Sequence, residues 1–202
     1  MPGTAASVDR KTLSCLRGFS PAPVTSTEAS QIVEFAITLP LLLVFIVGIF
    51  DFGEAFNVKQ KLNNAAREGA QFGSSLPTHD LSTTGTPPSV SALRDLVDAY
   101  LQAAKMNECG LSAQSAIATT SLTWVYSASG NGCPGTLTLA IQRGYPVPTN
   151  IGLTTINVIC TRIEIKYPYQ WHFNSVIQFL VPGASYSGVT LIATDAVVPN
   201  MD

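Results

Sequence analysis

Charge and catalytic side chains are scarce in this sequence. Only 12% of the 202 residues are charged, the formal net charge is -2, and there are two histidines. A chain without an excess of Lys and Arg lacks the basic surface that nucleic acids require, so we expect no nucleic-acid partner. The G-x-S-x-G, H-E-x-x-H and glycine-rich phosphate-loop motifs are also missing. These absences predict a protein that is not an enzyme, with no catalytic residues and no cofactor.

Potential metal ligands are equally sparse. His79 and His172 are far apart in the chain, and the four cysteines include no C-x-x-C pair. Structural zinc sites usually take their ligands from such closely spaced pairs. The sequence therefore predicts no metal site.

One long apolar run stands out against this low charge. Residues 35–50 contain no charged side chain and lie between Glu34 and Asp51. As a helix they span about 24 Å, somewhat less than the ~30 Å of a bilayer core. Because nearly every side of this helix is apolar, we favour a membrane anchor over a buried core helix. No small-x-small cleavage site follows the run, so a retained anchor is also favoured over a cleaved signal peptide.

The charges on either side of the run predict its orientation. Arg10, Lys11 and Arg17 precede it, whereas Asp51 and Glu54 are the first charges after it. Lys and Arg remain preferentially on the cytoplasmic side of a membrane. We therefore predict a single-pass protein with a cytoplasmic N-terminus and an extracytoplasmic C-terminal domain.

Composition and periodicity divide the chain into four segments. Residues 1–29 are rich in small polar residues and proline and predict a leader, and residues 30–73 predict one helix that becomes amphipathic in its second half. Residues 74–89 form a turn-rich linker. Residues 90–202 predict a second helix that ends near Lys105, followed by strands.

The last third of the chain predicts an antiparallel sheet. Four stretches are rich in β-branched and aromatic residues, namely residues 121–127, 136–142, 155–167 and 189–197. The third stretch alternates apolar with charged residues, as expected of a half-buried strand. The predicted fold class is α+β, with a long N-terminal helix, a shorter second helix and a three- to four-stranded antiparallel sheet packed on them.

Three cysteines follow the anchor, in a compartment where disulfides persist. If the second and third strands form a hairpin centred near Thr149, Cys133 lies opposite Ile165, several residues from Cys160. We therefore favour a disulfide between Cys109 and Cys133. Cys160 is then a buried thiol or is paired outside the chain.

The N-terminal helix also carries an ordered set of short motifs. They are Ile32-Val33-Glu34-Phe35-Ala36, Leu39-Pro40-Leu41-Leu42-Leu43, Gly48-Ile49, Asp51-Phe52-Gly53 and Asn64-Ala65-Ala66-Arg67-Glu68-Gly69-Ala70. Together these motifs, spread over close to a fifth of the chain, resemble the TadE-like family of pilus-assembly proteins, which are relatives of the type IV pilins. The resemblance implies a pilin-like fold.

The resemblance also implies a role for Glu34. A prepilin peptidase on the cytoplasmic face would cut between Ala29 and Ser30, so that Glu34 becomes the fifth residue of the mature protein. The freed amine and the carboxylate are each costly near hydrocarbon and would offset one another, within a subunit or between neighbours, which would set subunit register. Ala29 stands where the family usually has glycine. An uncut, anchored pilus component, with Glu34 only marking the membrane border, is the alternative.

Pro40 lacks a backbone donor inside the apolar helix and predicts a kink, either with no further role or as part of filament packing. The resemblance implies a minor pilin or pseudopilin that helps to initiate, prime or cap a Tad (Flp) pilus or a related secretion filament involved in adherence. Its implied partners are other pilin subunits, the Tad assembly platform, a prepilin peptidase and the inner membrane. A membrane-anchored, adhesin-like binding module is the alternative function.

Overall fold

The structure is a computed structural model that describes residues 26–120, 122–173, 178, 183 and 188–201, without the side chains of residues 26–29. Contacts divide the chain into two units, Met1–Leu41 and Leu42–Asp202. The described part of the first unit is helical throughout.

The N-terminal helix α1 comprises Ser26–Ser75 and therefore begins earlier and ends later than the predicted residues 30–73. In the first unit its described side chains are exposed, apart from the half-buried Pro40. Pro40 lies inside the helix, and the helix continues on both sides of it. The Thr38 hydroxyl donates to the carbonyl oxygens of Glu34 and Phe35 at 3.0 and 3.2 Å, so the polar group of this apolar segment is satisfied within the helix.

In the second unit, the later turns of α1 pack against the core of the domain. Small side chains dominate the buried hydrophobic positions, which are Leu62, Ala65, Ala66 and Ala70. Gly73 continues this row, and a Cβ there would lie 2.7 Å from Cγ2 of Thr161. The small residues therefore allow the helix to approach the sheet closely.

The second helix α2 comprises Pro88–Ala103 and begins with proline at a position where no backbone donor is needed. The Asp80 carboxylate, in a 3-10 turn of the linker, accepts the Ser89 N–H at 2.8 Å and so caps the helix. The buried stripe of α2 includes Val90, Leu93, Val97 and Leu101, which follows the predicted amphipathic pattern. α2 and the later turns of α1 contribute residues to the same core.

Over the described residues, the sheet has five antiparallel strands in the order β1-β2-β3-β4-β5. Their bounds are Ile117–Thr120, Thr123–Ala128, Leu137–Ile151, Thr154–Gln170 and Val189–Pro199. The α+β class is confirmed, but the sheet has one strand more than the three or four expected. The additional strand is β1, which is only four residues long and exposed at every position, so it has no alternation that a pattern could detect.

The hairpin formed by β3 and β4 is longer than predicted. Ile151 pairs with Thr154, so the turn lies at Gly152 and Leu153, and the expected centre near Thr149 is wrong. Ile165 pairs with Leu139 rather than lying opposite Cys133.

Near its other end, β4 passes through Tyr167-Pro168-Tyr169, and these residues pair with β5. These three residues are therefore part of the strand. Along β4, Thr161, Ile163, Ile165 and Tyr167 are buried, which confirms the predicted alternation over that part of the strand.

Candidate functional site

The residues predicted to be functional in the first unit lie along exposed α1. The bond between Ala29 and Ser30 lies inside the helix, one turn after its first residue. Ser30 and Glu34 are four residues apart and share one face, and both are exposed. Because Cα–Cβ bonds in a helix tilt toward its N-terminus, the Glu34 side chain leans toward Ser30. Within the part of the chain that the structure describes, the Glu34 carboxylate has no hydrogen bond or ion pair.

The surface around Glu34 is strongly apolar. The large exposed side chains of α1 from residue 32 to residue 50 are Ile32, Val33, Phe35, Ile37, Leu39, Leu41, Leu42, Leu43, Phe45, Ile46, Ile49 and Phe50. Exposing such side chains to water costs about 25 cal/mol per Å², so this surface requires an apolar environment. Among the described residues one helix, over Ser30–Ser75, is long and apolar enough to cross a membrane.

Asp51, the first charged residue after the apolar run, is almost completely buried, with 4% exposure. Tyr169 donates its hydroxyl to Oδ1 of Asp51 at 2.9 Å. The backbone N–H of Phe173 donates to Oδ2 at 2.8 Å. A carboxylate that accepts such bonds tolerates burial. Asp51 therefore fixes α1 to the end of β4 at the border of the apolar run.

Aromatic rings cover this junction. Trp171 makes edge-to-face contacts with Phe52 and Tyr169, at centroid distances of 5.2 and 5.0 Å. Its Nε1 donates to the Thr190 hydroxyl of β5 at 2.7 Å. We name the group formed by Asp51, Phe52, Tyr169, Trp171 and Phe173 the border cluster. Trp side chains with one apolar side and one polar contact are typical of membrane–water interfaces.

The Tyr169 hydroxyl remains a donor in this cluster. Burial raises the pKa of Tyr169, and the hydrogen bond to Asp51 and the negative charge of Asp51 raise it further. The phenol is thus protonated at all physiological pH values and can keep its bond to the carboxylate.

His172 and Glu54 lie at the edge of the border cluster. Nδ1 of His172 is 3.6 Å from Oδ1 of Asp51 and 3.9 Å from Oε2 of Glu54. One ligand atom from each of these three residues lies within 4.8 Å of the others, a proximity that their spacing in the sequence did not suggest. Both oxygens of Asp51 already accept hydrogen bonds, from the Tyr169 hydroxyl and the Phe173 N–H.

The disulfide joins Cys109 and Cys133, the pairing that the sequence favoured, with a Cα–Cα distance of 5.4 Å. In the chain-entropy model a disulfide that closes a loop of this size stabilises a protein by about 3 kcal/mol. Cys160 is buried and forms no disulfide within the described part of the chain. Burial raises its pKa, which keeps it in the unreactive protonated form.

Sequence reasoning recognised Asp51 only as the end of the apolar run. Its partner Tyr169 lies 118 residues further along the chain, so no local pattern links the two. Two features of the sequence could have indicated this site. An acidic residue directly follows the uncharged helix and precedes an aromatic residue, and a second aromatic-rich segment lies at the end of a strand.

Comparison with known proteins agrees with the resemblance seen in the helix. The family model described as TadE-like protein matches residues 29–71. This range includes the Ala29–Ser30 bond, Glu34, Pro40 and Asp51. No curated protein and no solved structure matches the chain. Over residues 29–71, in its N-terminal helix, the chain is similar to the TadE-like family.

Proposed function

We propose that this protein is a minor pilin or pseudopilin that supports the initiation, priming or capping of a Tad (Flp) pilus or a related secretion filament. The observation that carries the proposal is the match of residues 29–71 to the TadE-like family, over a helix whose apolar surface is exposed. An exposed apolar helix can pack in lipid before assembly and against the helices of other subunits afterwards. Those subunits, the assembly platform and the prepilin peptidase are the proposed partners.

In this proposal the peptidase cuts between Ala29 and Ser30 and creates an amine at Ser30. Glu34 lies one turn away on the same face, and its carboxylate leans toward that amine. The two charges can therefore pair within one subunit, or Glu34 can pair with the amine of a neighbour. The second arrangement would set the register between subunits.

The proposed location is the inner membrane, with the N-terminus in the cytoplasm and the sheet outside it. The charge bias before residue 35 supports this orientation. The border cluster supports a membrane border at the end of the apolar run, since Trp and Tyr are enriched at membrane–water interfaces. The second candidate function is an anchored, adhesin-like binding module that is not processed, and the alanine at the cleavage position favours it.

Intact mass and N-terminal sequencing of the full-length protein, extracted from membranes, test the proposal. We expect a mature N-terminus at Ser30 that disappears in cells lacking the prepilin peptidase. An N-terminus at Met1, or a cut after residue 50, would contradict processing as a pilin and favour the anchored binding module.

A second experiment tests Glu34 itself. Glu34→Gln should insert into the membrane and be cleaved but should not support piliation, because it cannot neutralise an amine. Glu54→Gln is the matched control, since it removes the same charge from the same helix beyond the other end of the apolar run. Normal piliation in the Glu34→Gln cells would remove this residue from the mechanism.

A further inference from the structure

The hairpin of β3 and β4 extends beyond the rest of the sheet. β2 pairs with β3 only as far as Gln142, and β5 pairs with β4 only as far as Cys160. Residues 146–151 and 154–159 therefore form a two-stranded ribbon, which we name the hairpin arm. An isolated two-stranded ribbon is marginally stable in water, and a third strand or a covering element stabilises it.

The hairpin arm is uncharged and apolar. Residues 144–161 contain no Asp, Glu, Lys, Arg or His. Its exposed apolar side chains include Ile151, Leu153, Ile156 and Ile159, with Leu153 fully exposed at the turn. Strand edges that must stay unpaired usually carry charges that discourage association. The absence of charge here indicates an edge that has a partner.

Only one edge of the hairpin arm can accept a strand. The two-residue turn has glycine at its first position with φ of 64°, as in a type II′ turn, so Ile151 and Thr154 form a hydrogen-bonded pair. Because such pairs alternate, Pro146 and Pro148 fall at positions whose nitrogens point away from β4. The β3 edge therefore lacks two donors and is blocked.

Among the described residues, no strand pairs with the β4 edge of the arm. The carbonyl of Ile159 accepts the Asn200 N–H at 3.1 Å, which shows that the backbone of Ile159 points away from β3. By the same alternation, the backbone groups of Thr155 and Asn157 point outward, beyond the end of β5. Neither Thr155 nor Asn157 has an outward backbone partner among the described residues.

A complementary edge exists elsewhere in the same chain. β1 is the first strand in the sheet order, so no described strand pairs with its outer side. It lies within residues 109–142, which also contain no charged side chain, and its Ile117 is exposed. Successive antiparallel pairings make β1 run opposite to β4. Two copies with the same orientation can thus bring β1 of one antiparallel to β4 of the other.

We propose that the β4 edge of the hairpin arm pairs with β1 of a second copy of this chain. The contact joins two different surfaces and is therefore heterologous. When the same contact repeats from copy to copy, it forms an open assembly rather than a closed dimer. An antiparallel pairing of two β4 edges would instead require opposite orientations of the two copies. The common orientation rests on the proposed function, because subunits anchored in one membrane or one filament share it.

Disulfide cross-linking of the full-length protein in membranes tests the contact. Asn157→Cys and Ala118→Cys are made separately, each with Cys15 and Cys160 replaced by Ser, and are co-expressed with different tags. We expect an oxidant to link the two variants to each other, and neither variant to itself. Cross-linking of Asn157→Cys alone would show that two arms pair with each other, and no cross-link at all would show that the arm does not meet β1. Either result overturns the proposal.

Proline substitution provides a matched control for the open edge. Asn157→Pro removes an outward N–H from the β4 edge, whereas Asn150→Pro removes one from the blocked β3 edge. Losing one or two hydrogen bonds of about 1 kcal/mol each should lower the mixed cross-link about tenfold for Asn157→Pro. Asn150→Pro should leave it unchanged, and an equal loss in both variants would contradict edge pairing. The N-terminus of each variant, measured in the same extracts, reports the proposed processing independently of this contact.

Discussion

The bond between Tyr169 and Asp51 should account for much of the stability of the border cluster. Tyr169→Phe removes the hydroxyl that donates to Asp51 at 2.9 Å and keeps the ring against Trp171. A hydrogen bond to a charged group contributes about 1.5–3 kcal/mol, and here its loss leaves a buried carboxylate with one partner fewer. We therefore expect Tyr169→Phe to lower the free energy of unfolding by about 2 kcal/mol.

The assay is guanidinium unfolding of the full-length protein in mild detergent at neutral pH, followed by tryptophan emission. The emission comes from Trp171, which touches the ring of Tyr169, and from Trp124 in the core of the domain. Tyr145→Phe is the matched control, because the Tyr145 ring lies 5.1 Å from the Arg162 guanidinium and its hydroxyl has no hydrogen bond among the described residues. The control should change stability by less than about 0.5 kcal/mol.

A double-mutant cycle separates the bond from general effects of substitution. Asp51→Asn should also destabilise the protein, because its amide directs a donor toward either the Phe173 N–H or the Tyr169 hydroxyl. In Asp51→Asn/Tyr169→Phe the two losses should not add, with a coupling energy of about 1 kcal/mol or more. Additive losses, or equal effects of Tyr169→Phe and Tyr145→Phe, would refute the assignment of Asp51 as the residue that fixes α1 to β4.

Two further predictions concern the packing of the domain. Burial raises the pKa of Asp98, and Glu108 and Asp95 raise it further, so the ionised carboxylate destabilises the fold at a pH above that pKa and the penalty disappears as the carboxyl protonates. Asp98→Asn should therefore unfold at a higher temperature than the parent protein near pH 7 and at the same temperature near pH 3. A higher unfolding temperature that persists in acid would contradict this origin. Gly73→Ala places a Cβ 2.7 Å from Thr161 and 3.2 Å from Leu93, and this overpacking should cost roughly 1–3 kcal/mol in the same unfolding assay. The control is Gly53→Ala, whose Cβ meets nothing within 4 Å and which should gain up to about 1 kcal/mol of helix propensity. Equal effects of the two substitutions would exclude close packing at Gly73.

The parts of the fold that follow local periodicity were predictable. α1 and α2 show apolar residues at helical spacing, and the later part of β4 alternates buried and charged residues. The hairpin arm was not predictable in this way. Pro146 and Pro148 normally indicate a loop, and they are compatible with β3 only because their nitrogens point away from β4, which depends on the turn at Gly152.

The two acidic residues at the ends of the apolar run show why a site can be predicted only in part. Glu34 and Asp51 occupy equivalent positions in the sequence, each next to an uncharged helix, and local reasoning treats them alike. In the folded chain Asp51 is buried and accepts bonds from Tyr169 and Phe173, so its charge is already compensated inside the domain. Glu34 is exposed and, among the described residues, has no such partner. In the proposed mechanism, Glu34 is therefore the carboxylate that pairs with an amine of its own or a neighbouring subunit. The loss of Asp51 should instead be measured as a loss of stability.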